Sequence, residues 1–531
     1  MHAAVLALLA LLVPSQDLDR ARADLKKGVA ASDGAAVEAA VQKIAAADSK
    51  RSVDLLLEGY SECAKELKSL WDDKLRVIQE NQSLPKYDKA ADEKGQAIET
   101  NIRKVEALKR VVVKALASLK SEAAVKALAA EVQARTFSAS ADWTRRAAIA
   151  EALGAIDQPD ALASLLEVAR KDPEPQVRVA AIDALVLRKA APLEVGAMLV
   201  GLLGHESWQV KSAAVAAIQA LGLKVAVGPL VEALAKNDGR LRYEINQALI
   251  AFTGVDKHGD YGAWKAWWDA NQEEVKAGTY KPRKEEMAGN QQGAATTFYG
   301  IPIRSKHVVF VLDRSGSMAR PSEWDIPPDV ATGPGLPGGD VKKQGDRKID
   351  IARWQLKRAL AMLQDGVEFN IIFYNHQWTA MADSMVKLSA TTRKQAYEFI
   401  DATDPTGRTN IYDPLEKGLM FAPAGGGADK FPKGAPGPRP TVASGDRSEK
   451  GYADTVFLLS DGLPNTGQIP DPDGIVAKIK EINRTRKVTV NTIGVFATGD
   501  TEADAGGRLL KQLADDSGGA YTSTVKAAPK K

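Results

Sequence analysis

Cysteine is nearly absent from this sequence, with Cys63 alone among 531 residues. A single thiol excludes an internal disulfide, a zinc knuckle and a lipid-modified cysteine near the start of the chain. An excess of one charge is missing too, because 71 Lys and Arg face 68 Asp and Glu and leave a formal net charge of +3. No basic stripe interleaves with the few aromatics, so nucleic acid is a poor candidate partner. Beyond the N-terminus no run approaches the ~18 consecutive apolar residues of a membrane helix, which predicts no transmembrane anchor in the mature chain.

What is present begins with "MHAAVLALLALLVPSQDLD", an uninterrupted apolar run from Ala3 to Val13 followed by Pro14, Ser15 and Gln16. Its length suits the core of a signal peptide over residues 1–15, cleaved near Ser15, and predicts an exported protein, periplasmic or extracellular. The overall length predicts about three structural units at ~100–200 residues each. Residues 16–110, rich in Ala, Lys, Glu and Leu and broken at "NQSLPKYD" by Pro85, predict a long helical hairpin.

An internal repeat follows over residues 111–273. "RAAIAEAL" from Arg146, "RVAAIDAL" from Arg178, "KSAAVAAI" from Lys211 and "RYEINQAL" from Arg242 succeed one another at spacings of 32, 33 and 31 residues. Each carries alanine at close-packing positions and is accompanied by a second apolar helix such as "DALASLLEVA", the pattern of stacked helix pairs. The segment resembles HEAT repeats of a short, alanine-rich kind, which implies an α-solenoid. Its basic residues read as a ladder on a solvated face, or as a concave surface for an acidic partner. "YGAWKAWWDANQEEV" places Trp264, Trp267 and Trp268 on one helical face, a cap for the solenoid end rather than a sugar-stacking platform. Residues 274–304 then turn polar and predict a linker.

Periodicity changes at "KHVVFVLDRSGSM", whose apolar stretch Val308–Leu312 predicts a central parallel strand covered on both faces. "VEFNIIFY", "TVFLLSD" and "VTVNTIGVF" predict further strands, and "IDIARWQLKRALAML" a helix with Ile349, Ala352, Leu356, Leu360 and Leu363 on one face. The alternation predicts a doubly wound, Rossmann-like α/β domain over 305–525, with ligands bound beyond the carboxyl ends of the strands. Asp313, Ser315 and Ser317 follow the first strand, Thr409 lies in "TGRTN", and Asp461 ends "TVFLLSD". All five side chains offer oxygen, a donor set that suits a hard cation, Mg²⁺ or else Mn²⁺.

These pieces resemble the von Willebrand factor type A domain and its metal-ion-dependent adhesion site. Asp313, Ser315 and Ser317 stand where the family has Asp-x-Ser-x-Ser, Thr409 where it has its distant threonine, and Asp461 where it has its later aspartate. The resemblance implies that Ser315, Ser317 and Thr409 ligate the metal directly. It further implies that Asp313 and Asp461 act through bound water, and that an Asp or Glu of a partner protein completes the octahedron. Arg408 is a departure, since many members carry glycine there. "LPNTG" within "LLSDGLPNTG" has the form of a sortase signal, but a further strand and helices follow it where an apolar span and basic tail belong.

Gly- and Pro-rich insertions fall at 321–346, beside the expected metal, and at 422–452, at the opposite edge of the sheet. A phosphatase that uses Asp313 as nucleophile would need a second carboxylate where Ser315 stands; His307 begins a strand and His376, in "FYNHQW", has no evident partner, so both read as structural. The expectation is a non-enzymatic, metal-dependent protein-binding protein. The alternatives are a scaffold acting through its solenoid with a vestigial metal site, and a phosphatase-like hydrolase. Two glycosylation sequons, at Asn81 and Asn483, carry weight only in a glycosylating host.

Overall fold

The computed structural model describes residues 15–83, 89–134, 143–188, 193–282, 296–323, 345–421, 453–497 and 503–524. The apolar run on which export rests, most of the insertion at 321–346 and all of that at 422–452 lie outside the described residues. The chain forms two compact units, residues 1–237 with 244–289 and residues 238–243 with 290–531.

The first unit opens with helices α1 (Ser15–Ala30), α2 (Gly34–Ala46), α3 (Lys50–Ser83) and α4 (Lys89–Ser118). The expected hairpin is the pair α3 and α4, with two further helices ahead of it. The extra break arises at Ser32, whose φ of 51° is left-handed, and at Asp33, whose carboxylate accepts from the Ala36 amide at 3.1 Å. Within the hairpin, Lys74 Nζ donates to Glu99 Oε2 at 2.8 Å, an ion pair with both side chains buried. Asp17–Arg110 is therefore four helices rather than two.

Eight helices follow among the described residues: α5 (Glu122–Ala134), α6 (Trp143–Ala155), α7 (Pro159–Lys171), α8 (Pro175–Leu187), α9 (Leu193–Leu202), α10 (Trp208–Ala220), α11 (Val227–Leu234) and α12 (Gly239–Thr253). The four repeat segments fall on α6, α8, α10 and α12. Their aliphatic partners Leu153, Leu185, Ile218 and Leu249 are all buried. Small residues permit the stacking: a Cβ on Gly154 of α6 would lie 2.7 Å from Ala184 Cβ of α8.

The basic residues correct one expectation, because they do not form a uniformly solvated ladder. Arg146 is buried and donates from Nε and Nη2 to Asp172 Oδ2 and Oδ1, at 2.9 and 3.1 Å. Lys211 donates to Asn237 Oδ1 at 2.7 Å, again 26 residues on. Arg178 donates to the carbonyls of Asp172 and Arg170, satisfying the open C-terminal end of α7. Only Arg242 of the four is exposed. The unit ends in α13 (Tyr261–Ala277), where Trp264 and Trp267 are buried edge to face with ring centroids 5.4 Å apart. Trp264 Nε1 donates to Asn246 Oδ1 at 2.7 Å, and the Trp268 ring lies against Gly228 of α11. Trp264 and Trp267 are thus core of this unit, with Trp268 half-buried beside them.

In the second unit a short antiparallel pair, β1 (Thr297–Phe298) and β2 (Ile301–Pro302), precedes a seven-stranded sheet. Phe298, Tyr299, Ile301 and Ile303 belong to the core of that unit, so the end of the span read as linker is part of the α/β domain. The sheet contains β3 (His307–Asp313), β4 (Glu368–Tyr374), β5 (Trp378–Ala380), β6 (Val386–Lys387), β7 (Thr455–Ser460), β8 (Thr489–Gly494) and β9 (Tyr521–Ser523). Its order is β5-β4-β3-β7-β8-β9, with β4, β3, β7, β8 and β9 mutually parallel and the short β5 and β6 antiparallel to β4.

Helices α14 (Lys348–Met362), α15 (Ala390–Asp401), α16 (Tyr412–Gly418), α17 (Pro472–Arg486) and α18 (Ala503–Ser517) connect the strands. Val308, Phe310 and Leu312 of β3 share a core with Ile349, Leu356 and Leu360 of α14. Val309 and Val311 face Gly418 of α16 on the other side. Both faces of β3 are covered, which explains its unbroken apolar run. Asn483 of the second sequon is buried and bonded through its side chain to Val488 O and N, so it serves as a helix-end clamp.

Candidate metal site at the switch point of the sheet

The chain leaves β3 to one side to form β4 and later returns to the other side to form β7. The carboxyl ends of β3 and β7 therefore flank the point where strand order reverses, the place where open α/β sheets bind ligands. Asp313 is the last residue of β3 and Asp461 follows β7 directly.

The two aspartates are joined by a chain of short hydrogen bonds. Asp313 Oδ1 accepts from the Ser315 amide at 2.7 Å, and its Oδ2 from Ser460 Oγ at 2.8 Å. Ser315 Oγ and Ser317 Oγ are 3.0 Å apart, and Ser317 Oγ donates to Asp461 Oδ1 at 2.7 Å. The loop holding Thr409 is stitched alongside. Gly316 N donates to Gly407 O at 3.0 Å, Thr406 N to Arg314 O at 2.8 Å, and Asn410 N to Asn375 O at 2.9 Å. Thr409 itself is buried, and its amide and carbonyl pair with Asn465 at 3.0 and 2.9 Å, tying it to the loop after Asp461.

Gly407 is required at its position. Its φ is +80°, and a Cβ there would come within 2.3 Å of His376 Nδ1. The departure at Arg408 leaves the loop intact, because the left-handed residue is Gly407, and the exposed Arg408 donates from Nη2 to Thr466 Oγ1 at 3.2 Å.

Electrostatically the site is acidic, and Asp313, Ser315, Thr409 and Asp461 are all buried. Burial, and then the neighbouring Asp461 carboxylate, push the Asp313 carboxyl up to about 7 despite its bonds from Ser315 and Ser460. Burial, then Asp313, also raises the Tyr374 phenol, whose hydroxyl donates to Leu459 O at 3.0 Å. A pair of buried carboxylates beside hydroxyl oxygens is a donor set that fits Mg²⁺ or Mn²⁺. Among the described residues no group of three or more His, Cys, Asp or Glu is placed to hold a metal.

Residues that the sequence reading missed complete the picture. Ser460 bonds Asp313, and Lys348, the first residue of α14, donates from Nζ to Asp461 Oδ2 at 3.0 Å. Ser460 stands next to Asp461 in "LLSDG", so proximity to the named ligand was the available signal. His307 sits at the opposite end of β3 from Asp313, 3.6 Å from Asp454 Oδ2, away from the site.

The HEAT-repeat family matches residues 103–186 and 163–250. Inter-alpha-trypsin inhibitor heavy chain H4 of Homo sapiens is 24% identical over 220 residues, which are 41% of this chain and 18% of that one. Heavy chain H3 of Mesocricetus auratus is 25% identical over 169 residues, 32% of this chain and 14% of that one. The chain thus spans less than a fifth of the length of either relative. Among solved structures, a von Willebrand factor type A protein from Catenulispora acidiphila is similar at 15% identity and a TM-score of 0.25, covering 43% of this chain and 40% of its own. The PilB minor pilin of Streptococcus sanguinis is similar at 20% identity and the same TM-score, covering 42% and 59%. The chain therefore carries segments that match HEAT repeats ahead of a doubly wound α/β domain with a mainly parallel sheet.

Proposed function

We propose that this is an exported protein-binding protein whose α/β domain holds Mg²⁺ or Mn²⁺ and takes up an Asp or Glu of a partner protein. The observation that supports this most is the hydrogen-bonded chain Asp313, Ser315, Ser317, Asp461 at the sheet's switch point, with the Thr409 loop fastened beside it. Ser315, Ser317 and Thr409 would hold the ion through neutral hydroxyls, with Asp313 and Asp461 behind them. A bound divalent cation supplies uncompensated positive charge there, the attraction that a carboxylate answers. Asp313 is oriented by Ser315 N and Ser460 Oγ, one bond to each carboxylate oxygen, and is fully buried. That arrangement positions a charge and leaves no exposed nucleophile, so it favours binding over phosphate-ester hydrolysis. The solenoid offers a second surface for protein contact.

A library of short peptides screened for binding in Mn²⁺ and again in EDTA tests the reading. Peptides retained only in Mn²⁺ are expected to carry Asp or Glu and to lose binding when that residue becomes Asn or Gln. Retention indifferent to EDTA, or to the peptide carboxylate, would contradict it.

A further inference from the structure

Lys348 is an unusual residue to find where it is. Its side chain and that of Asp461 are both buried, at 1% and 0% exposure, with Nζ 3.0 Å from Asp461 Oδ2. A buried ammonium is costly unless paired, and a positive charge in the first turn of a helix opposes the helix dipole. Folding nonetheless delivers Lys348 there with care. The ends of the insertion are pinned together by the Pro321 and Arg347 bridge and by Ser322 N donating to Asp346 O at 2.7 Å. Lys348 N then donates to Arg320 O at 2.8 Å, fixing the start of α14 beside the loop that carries Ser315 and Ser317.

Asp461 is consequently shared. Its Oδ1 accepts from Ser317, a proposed ligand, and its Oδ2 from Lys348. With both carboxylates ionised, as a bound cation would hold them, the formal charges of Asp313, Asp461 and Lys348 sum to −1. A divalent ion brings the site to +1, and a partner carboxylate brings it to neutrality. Without the lysine the metal-loaded site would be neutral and a carboxylate would make it negative.

Building on the metal-dependent reading above, we propose that Lys348 is the specificity-determining residue of this site. It is a built-in cation that weakens binding of the free metal ion and makes the loaded site demand an anionic partner. The two effects have opposite signs, which separates this role from simple support of the fold, since a structural defect would weaken both.

Calorimetric titration of Mn²⁺ into the full chain, with acetate as the carboxylate probe and chloride at equal ionic strength as control, tests it. In Lys348→Met the affinity for Mn²⁺ in chloride should rise at least about fivefold, while the enhancement of Mn²⁺ affinity by acetate shrinks by a similar factor. Lys348→Arg, which keeps the charge, should stay near wild type, and Lys348→Gln supplies the neutral arm if the methionine variant does not fold. Mn²⁺ affinity unchanged or weakened in a folded neutral variant overturns the role of Lys348 and leaves the metal site standing. Failure of wild type and variants alike to bind Mn²⁺ overturns the metal reading and this inference with it.

Discussion

Replacing Arg146 by alanine should destabilise the solenoid far more than a surface charge change would. The Arg146 guanidinium forms a two-pronged bond to Asp172, with side chains 1% and 0% exposed. Removing the arginine strands a buried carboxylate whose Oδ1 keeps a bond of 2.9 Å from the Glu174 amide. Breaking such a pair from one side costs about 3–5 kcal/mol, whereas replacing both partners by apolar residues of similar volume is often neutral. Arg146→Ala should therefore lose that amount, and Arg146→Met with Asp172→Leu should recover most of it. The exposed pair Glu122 and Lys126 on α5 serves as control, with no measurable loss on removal. Because repeats contact mainly their neighbours, hydrogen exchange read by mass spectrometry on α6 and α8 reports the change where it occurs. A loss below about 1 kcal/mol in Arg146→Ala, or a double variant no better than the single, would refute the assignment of this pair as a buried, mutually dependent unit.

Gly407→Ala should weaken Mn²⁺ binding at least about tenfold while α6 and α8 keep their exchange protection, since its left-handed φ and the approach of His376 both resist a Cβ. Unchanged calorimetric affinity would show that the Thr409 loop tolerates displacement. Trp264→Ala should cost about 3–5 kcal/mol at the C-terminal end of the solenoid, read by exchange in α11 and α13, because the ring is fully buried and bonded to Asn246. A sugar-binding role would instead leave stability untouched. Cys63 is buried and its thiol is pushed up to about 11 by desolvation, so it should resist iodoacetamide at neutral pH in the native protein and react once unfolded. Rapid native alkylation would contradict its placement.

Much of the architecture was legible because it follows from local pattern. The run Val308–Leu312 announced a strand covered on both faces, and the recurring Arg or Lys with its aliphatic partner announced stacked helix pairs. Asp313 and Asp461 were legible because one ends such a strand and the other follows one directly. The break at Ser32, Asp33 and Gly34 was also present in the sequence as a turn signature, but the alanine-rich flanks masked it. Other features depend on tertiary geometry and had no local signal. The bonds from Arg146 to Asp172 and from Lys211 to Asn237 need a whole helical hairpin to bring their partners together, and in isolation such basic residues read as solvated. Lys348 opens a helix after a Gly- and Pro-rich insertion, a place where lysine normally faces water, and only the pinned ends of that insertion turn it toward Asp461.

The proposed site is a single divalent ion held by Asp313, Ser315, Ser317, Thr409 and Asp461. Calorimetric titration of Mg²⁺ and Mn²⁺ into the full chain, beside Asp313→Ala and Asp461→Ala, addresses it most directly. The expected result is a single class of site in the wild type that each substitution abolishes, with the rest of the protein folded as before. Absence of binding in the wild type, or binding that survives both substitutions, would contradict it.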